Sequence, residues 1–212
     1  MNKQELLDKY RYWEVEHDDW YGYTYEQFIE RMETKGIFLS ADDITFSGFC
    51  SQGDGASFTC WITSTKGFDV FCKEHGIYDE YPILQLAFAA GVDPTIELIR
   101  GNNSHYCHEF TVYAQLMIEN SFLNCVPYQV NEGEPKWVIA EALDAEMGTV
   151  FTRDHEWDGF ERMVNDIVRG YMKELYNELS DTYYDLISDD VVWQAIINNE
   201  LDEELEDEAM AS

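Results

Sequence analysis

Glu174, Glu178, Asp181, Asp185 and Asp189 follow one another at spacings of four, three, four and four residues. On an α-helix these spacings make one stripe, its carboxylates about 5–6 Å apart. A DNA strand presents one phosphate per roughly 3.4 Å of axis. The two charge densities differ by less than about a factor of two, so a basic groove shaped for nucleic acid can accept such a helix. Each like-charge i,i+4 pair costs the helix about a few tenths of a kcal/mol. After Lys173 there is no Lys or Arg, while Glu200, Asp202, Glu203, Glu204, Glu206, Asp207 and Glu208 continue the acidic run. The whole chain of 212 residues carries a formal net charge of -30, and self-repulsion on that scale opposes compaction. The bland alternative is a solvated face that serves solubility alone.

The loop Ser51-Gln52-Gly53-Asp54-Gly55 is the second place where residue types suggest chemistry. Its glycines let the backbone approach a ligand or take up positive φ, with Gln52 and Asp54 as polar groups. It has neither the spacing nor the Lys of a phosphate-binding P-loop. The competing reading is a hairpin turn, for which Asp54-Gly55 is a strong signal. A lone Asp without a partner is a weak catalytic candidate, so no catalytic residue is assigned. His105, Cys107 and His108 would alternate across a strand and cannot form a compact metal site alone. His155-Glu156 lacks the second His of a zinc-protease helix, and no Asp-x-Asp-x-Asp-Gly calcium loop occurs. No metal and no cofactor is expected. The five cysteines (Cys50, Cys60, Cys72, Cys107, Cys125) are widely spaced and odd in number, which favours free thiols.

The elements that must position these groups read as α+β. Helices are predicted at 2–12 and 24–34, the second with Thr24 and Gln27 at capping-box spacing. Between them lies an aromatic cluster of Trp13, Trp20, Tyr21, Tyr23 and Tyr25, a small core or a partner-binding patch. Residues 44–50 and 57–63 alternate as strands, and 95–101 with 105–118 read as a second hairpin. The expected result is an antiparallel four-stranded sheet packed with helices. Further helices are predicted at 67–75, 80–90 and about 136–147, with a loop at 119–136. A long helix over 157–186 has Phe160, Val164, Ile167, Val168, Tyr171, Leu175, Leu179 and Tyr183 on one side. Ser188 then caps a short helix at 191–199, with Asp189 and Asp190 at its positive end. The domain reading is a helical, aromatic-rich segment at 1–40, an α+β core at 41–199 and an acidic mobile tail at 200–212. Hydrophobic content of 45% with 15% aromatics argues for a real core beneath the charge. No apolar run approaches the roughly 18 residues of a membrane span, and the first residues carry no apolar signal-peptide core.

The stretch from Asp43 to Phe58 contains Ser47-Gly48-Phe49, Ser51-Gln52-Gly53-Asp54-Gly55-Ala56 and Phe58. It resembles the signature of a family of small bacteriophage proteins, some labelled antitoxin-like. Tyr106 and His108 stand where that family has a Tyr-x-His pair opening a strand. Glu178–Trp193 resembles its closing helix and cap, and Asn199-Glu200 an Asn-Glu before its tail. The resemblance implies a viral origin and the cytoplasm of an infected bacterial host. It implies little mechanism.

Together these features predict a non-enzymatic phage counter-defence or host-takeover protein. It would be an acidic DNA mimic that blocks the basic cleft of a host nucleic-acid-binding protein, such as a restriction, CRISPR or related nuclease complex. The residues expected to meet that partner are Glu174, Glu178, Asp181, Asp185, Asp189, Glu203, Glu204 and Glu206. Direct nucleic-acid binding and membrane association are not expected. Two alternatives stand beside it. One is an antitoxin-like interaction module that uses the aromatic N-terminus and the Ser51–Gly55 loop. The other is an enzyme or small-nucleotide binder that uses the loop, with His108 as a possible helper.

Overall fold

The computed structural model describes residues 2–17, 19–63, 67–81, 84–85, 93–100, 112–119 and 154–201, with backbone alone at 93–94, 112–119, 154–158 and 161. The architecture is α+β. Its elements are α1 (Lys3–Tyr10), α2 (Trp13–His17), α3 (Gly22–Thr34), β1 (Ile44–Phe46), β2 (Ala56–Phe58), β3 (Cys60–Thr63), α4 (Phe68–Glu74), α5 (Ile77–Glu80), β4 (Asp93–Arg100), β5 (Val112–Glu119), α6 (Asp154–Leu186) and α7 (Asp189–Asn198). By contacts the chain divides into two compact units, Met1–Glu26 with Tyr176–Ser212 and Gln27–Leu175. This differs from the sequential division at 40 and 199. The cuts fall inside α3 and inside α6.

The unit made from both chain ends is organised by α1 and α7. Asn2 caps α1 in a reciprocal box: Glu5 N–H donates to Asn2 Oδ1 at 2.9 Å and Asn2 N–H to Glu5 Oε2 at 3.0 Å. Leu6 and Leu7 then face Val192 and Ile196 of α7, with Tyr10, Trp193 and Leu201 packed around them. Arg11 fixes the entry to α7 by donating from Nη1 to Ile187 O at 2.9 Å and Asp189 Oδ1 at 2.8 Å. Ser188 occupies the N-cap position, yet its side chain makes no capping hydrogen bond. Thr24 is no N-cap either, because α3 begins two residues earlier at Gly22. Its hydroxyl lies 3.3 Å from that of Thr182, which donates to Glu178 O at 2.9 Å. Each hydroxyl has one proton, so Thr24 is the donor in that pair.

The larger unit holds the strands, and the expected four-stranded sheet is replaced by two sheets. β1 and β2 form an antiparallel pair, Ile44 opposite Phe58; β3, β4 and β5 form a three-stranded antiparallel sheet in that order. The run expected as one strand at 57–63 changes partner midway. Thr59 N–H still donates to Asp43 O at 3.1 Å, but Cys60 is already opposite Leu98 of β4. Phe58, Cys60 and Ile62 are all buried, so period-2 alternation runs straight through the switch. Arg100 ties the sheets together: its Nη2 donates to Thr45 Oγ1 at 2.8 Å, and Thr45 Oγ1 lies 3.1 Å from Ser57 Oγ. Phe28, Met32, Ile37, Phe58, Ile62, Phe68, Phe71, Ile77, Ile96, Phe160, Val164 and Val168 make the core. Before the helix expected at 80–90 there is a turn of helix, α5, started by Gly76 at φ 65, and Tyr81 is not helical. Residues 84 and 85 are helical and 86–90 lie outside the described residues. So do the expected loop and helix through 120–147, His105, Cys107, His108, Cys125 and the tail carboxylates Glu203, Glu204 and Glu206.

α3 ends in a Schellman arrangement. Ile37 N–H donates to Met32 O and Gly36 N–H to Glu33 O, with Gly36 at φ +79. Its carbonyl then lies against Gly67, where an added Cβ would sit 2.1 Å from Gly36 O. Backbone cannot swing aside as a side chain can. Gly67→Ala is therefore expected to lower the unfolding free energy by about 3 kcal/mol or more. Gly170, within α6, has nothing within 4 Å of an added Cβ. Gly170→Ala is expected to stabilise by about 0.5–1 kcal/mol, both changes being read by urea unfolding.

Candidate functional site

The Ser51–Gly55 loop is closed upon itself. Cys50 N–H and Ser51 N–H donate to Asp54 Oδ2 at 2.7 and 2.6 Å, and Ser51 Oγ donates to Oδ1 at 2.9 Å. Ser47 Oγ accepts from Gly55 N–H at 3.2 Å, while Ser47 N–H donates to Gly55 O at 3.0 Å. These hydrogen bonds, the Ser51 N–H first, hold the Asp54 carboxyl below the usual carboxylate range. Phe49 stacks on Phe46 at 5.9 Å between centroids, and Ala56 and Phe58 are buried. Neither Gly53 nor Gly55 has positive φ. The polar groups expected to greet a ligand are largely occupied in shaping the turn.

The five helix carboxylates do not share one environment. Glu174, Asp181 and Asp185 are exposed on α6 and Glu178 is half-buried. Asp189 belongs to α7 and is paired with Arg11. The unit boundary falls between Glu174 and Glu178. Charge is uneven between the units. Met1–Glu26 with Tyr176–Ser212 carries nineteen Asp and Glu against three Lys and Arg; Gln27–Leu175 carries twenty-four against ten. More than half of the net negative charge thus lies on under a third of the chain. The aromatic residues divide as sharply. The smaller unit has eight Tyr, three Trp and no Phe, and all twelve Phe lie in the larger one.

A third cluster escaped sequence reasoning. In the larger unit Tyr171 of α6 approaches His75 just after α4, its hydroxyl 3.2 Å from Nε2. Lys35, just after α3, donates to Glu74 Oε1 at 2.9 Å and lies 5.6 Å from the centre of the Tyr171 ring. Burial, then the Lys35 charge, lowers the His75 pKa, while burial raises that of Tyr171. A neutral imidazole accepting the Tyr171 proton fits both directions. No periodicity relates positions 35, 74, 75 and 171, and only tertiary packing brings them together. Among the described residues, no three His, Cys, Asp or Glu are placed to hold a metal ion. Cys60 and Cys72 are buried, which pushes their thiols up and away from nucleophilic chemistry. No helix of the described residues is long and apolar enough to cross a membrane.

A family model described as a domain of unknown function, DUF8835, matches residues 20–189. The chain belongs to the DUF8835 family. No curated protein and no solved structure matches. The DUF8835 match takes in the Ser51–Gly55 loop, the His75–Tyr171 cluster and the α6 carboxylates. It leaves out α1, α2 and nearly all of α7, and the apolar faces of α1 and α7 pack together in the smaller unit. In this chain the span matched by DUF8835 therefore holds a self-satisfied turn and an acidic helix face.

Two outcomes follow for these clusters. Asp54→Ala removes the acceptor of two backbone amides, so hydrogen exchange at Cys50 and Ser51 should accelerate by about tenfold or more. Its global unfolding midpoint should stay close to the wild type. His75 has a folded pKa below its ordinary 6.5. Its contribution to stability is whole above about pH 6.5 and declines as pH falls through the folded value, because the unfolded chain takes the proton first. Urea unfolding from pH 7 downward should show that decline in the wild type and a smaller one in His75→Gln.

Proposed function

We propose that this protein is a non-enzymatic acidic mimic of nucleic acid. It binds the basic nucleic-acid-binding cleft of a host complex, such as a restriction, CRISPR or related nuclease, and blocks it. The setting is the cytoplasm of an infected bacterium, which rests on the bacteriophage resemblance of the 43–58 segment. The observation that carries the reading is the concentration of charge in the smaller unit, with exposed Asp181 and Asp185 one turn apart on α6. A rigid helix sets the spacing of such carboxylates, whereas a flexible acidic run supplies attraction without shape. The mechanism is steric and electrostatic: long-range attraction speeds encounter, and salt weakens it beyond about 8–10 Å.

An antitoxin-like interaction module is the second reading. It draws on Tyr12 and Tyr23, which are 48% and 72% exposed in the N-terminal segment. It no longer draws on the Ser51–Gly55 loop, whose polar groups are largely engaged within the turn.

The deciding experiment is capture of proteins from bacterial lysate on the immobilised chain, with and without competing duplex DNA. Nucleic-acid-binding proteins should be enriched and released by the duplex. The triple change Glu178→Gln, Asp181→Asn, Asp185→Asn should reduce their capture by about tenfold or more at low salt. Partners that stay bound in excess duplex, and that bind the triple variant equally well, would remove mimicry and leave the interaction module.

A further inference from the structure

Tyr184 lies among the exposed carboxylates of α6 and is itself 48% exposed. Asp181, Tyr184 and Asp185 stand in an i, i+3, i+4 relation, which places the three side chains on one face of the helix. The opposite face carries the fully buried Leu179, so Tyr184 is not a core residue displaced by fraying. Helix propensity does not explain it, because an aromatic side chain loses rotamer freedom against the preceding turn. Its ring meets that of Tyr183 edge-on at 5.5 Å, and Tyr183 in turn meets Trp20 at 5.8 Å. The exposed ring thus touches half-buried Tyr183, which is itself held against half-buried Trp20. A supported ring loses little freedom on binding, and such residues dominate interface energetics.

We infer that Asp181, Tyr184 and Asp185 form the docking face for an arginine-bearing segment of the partner. A guanidinium is planar and weakly hydrated. It stacks on an aromatic face while its N–H groups pair with a carboxylate. An ammonium pairs with the carboxylate but has no plane to stack. In a nucleic-acid cleft the same arginine meets phosphate oxygens and the faces of unstacked bases. Carboxylates in place of phosphates and a phenol ring in place of a base present both surfaces at once. Charge complementarity selects this occupant. The unit's three cations, Lys3, Lys9 and Arg11, all lie in its N-terminal segment, and Arg11 is bound to Asp8, Asp189 and the Ile187 carbonyl. Lys3 and Lys9 lie over Trp193 and Tyr10, so the aromatics of this unit already hold cations by their faces. The inference deepens the proposed function and rests on it for the basic character of the partner.

The test titrates the full chain with two synthetic peptides of equal length and charge, one arginine-rich and one lysine-rich, by calorimetry at two salt concentrations. The arginine peptide should bind about fivefold more tightly than the lysine peptide. Tyr184→Ala should erase that preference and Tyr184→Phe should keep it. The pair Asp181→Asn, Asp185→Asn should weaken both peptides and flatten the salt dependence. Circular dichroism establishes that each variant folds, as expected for changes at exposed positions. Equal affinity for the two peptides, or a preference that survives Tyr184→Ala, overturns the inference. Failure of duplex DNA to release captured host proteins, with the arginine preference intact, removes the nucleic-acid-mimic reading and leaves this face standing.

Discussion

Mutual repulsion among carboxylates is the constraint around which this molecule is arranged. Forty-three Asp and Glu are opposed by thirteen Lys and Arg. Such a chain cannot neutralise its surface, and three of the described cations act as ties at junctions. Arg11 fixes the entry to α7, Lys35 joins the end of α3 to α4, and Arg100 joins β4 to β1. Exposed pairs of this kind contribute about 1 kcal/mol or less each. Cohesion must therefore come from apolar burial, and the ties select which surfaces meet.

That division of labour explains the distribution of aromatic residues. Phenylalanine has no polar handle and belongs where a core is large enough to enclose it. Phe28, Phe58, Phe68, Phe71 and Phe160 are fully buried in the larger unit. The smaller unit must close over two helices, α1 and α7, with a strongly charged exterior. It uses Tyr and Trp, which cover apolar surface with one edge and meet water or a carbonyl with the other. Tyr10 does this literally, its ring packed beside Leu6 and Leu7 and its hydroxyl donating to Leu201 O. The same amphipathic character makes Tyr184 tolerable at an exposed position.

What the sequence conveyed depended on the range of the interaction. The 3.6-residue recurrence of Phe160, Val164, Val168, Tyr171, Leu175 and Leu179 marks α6 because a helix repeats locally, and those residues are buried. The β4–β5 hairpin was legible for the same reason. The partner switch at Thr59 was not, since alternation records which face of a strand is buried and not which neighbour it pairs with. Thr24 and Gln27 had cap spacing without the cap, because α3 starts at Gly22. The stripe was readable as spacing, but pairing of its last member with Arg11 joins residues 178 positions apart and leaves no local trace. The His75–Tyr171 contact is hidden in the same way.

The pairing of Asp189 also bears on where a basic partner can engage. A carboxylate already holding a guanidinium at 2.8 Å, with a carbonyl sharing that guanidinium, gains less from a second cation than one facing water. Asp54 is still less available, its oxygens taken by the loop's own N–H and O–H groups. Total charge therefore overstates the surface open to a partner, and the described carboxylates must be sorted by what already holds them. Asp181 and Asp185 form no ion pair among the described residues, lie one turn apart and border an exposed ring. On the proposed reading, binding specificity belongs to the last turns of α6 rather than to Asp189 at the start of α7, because among the described carboxylates of the stripe it is there that charge, fixed spacing and a stacking surface coincide.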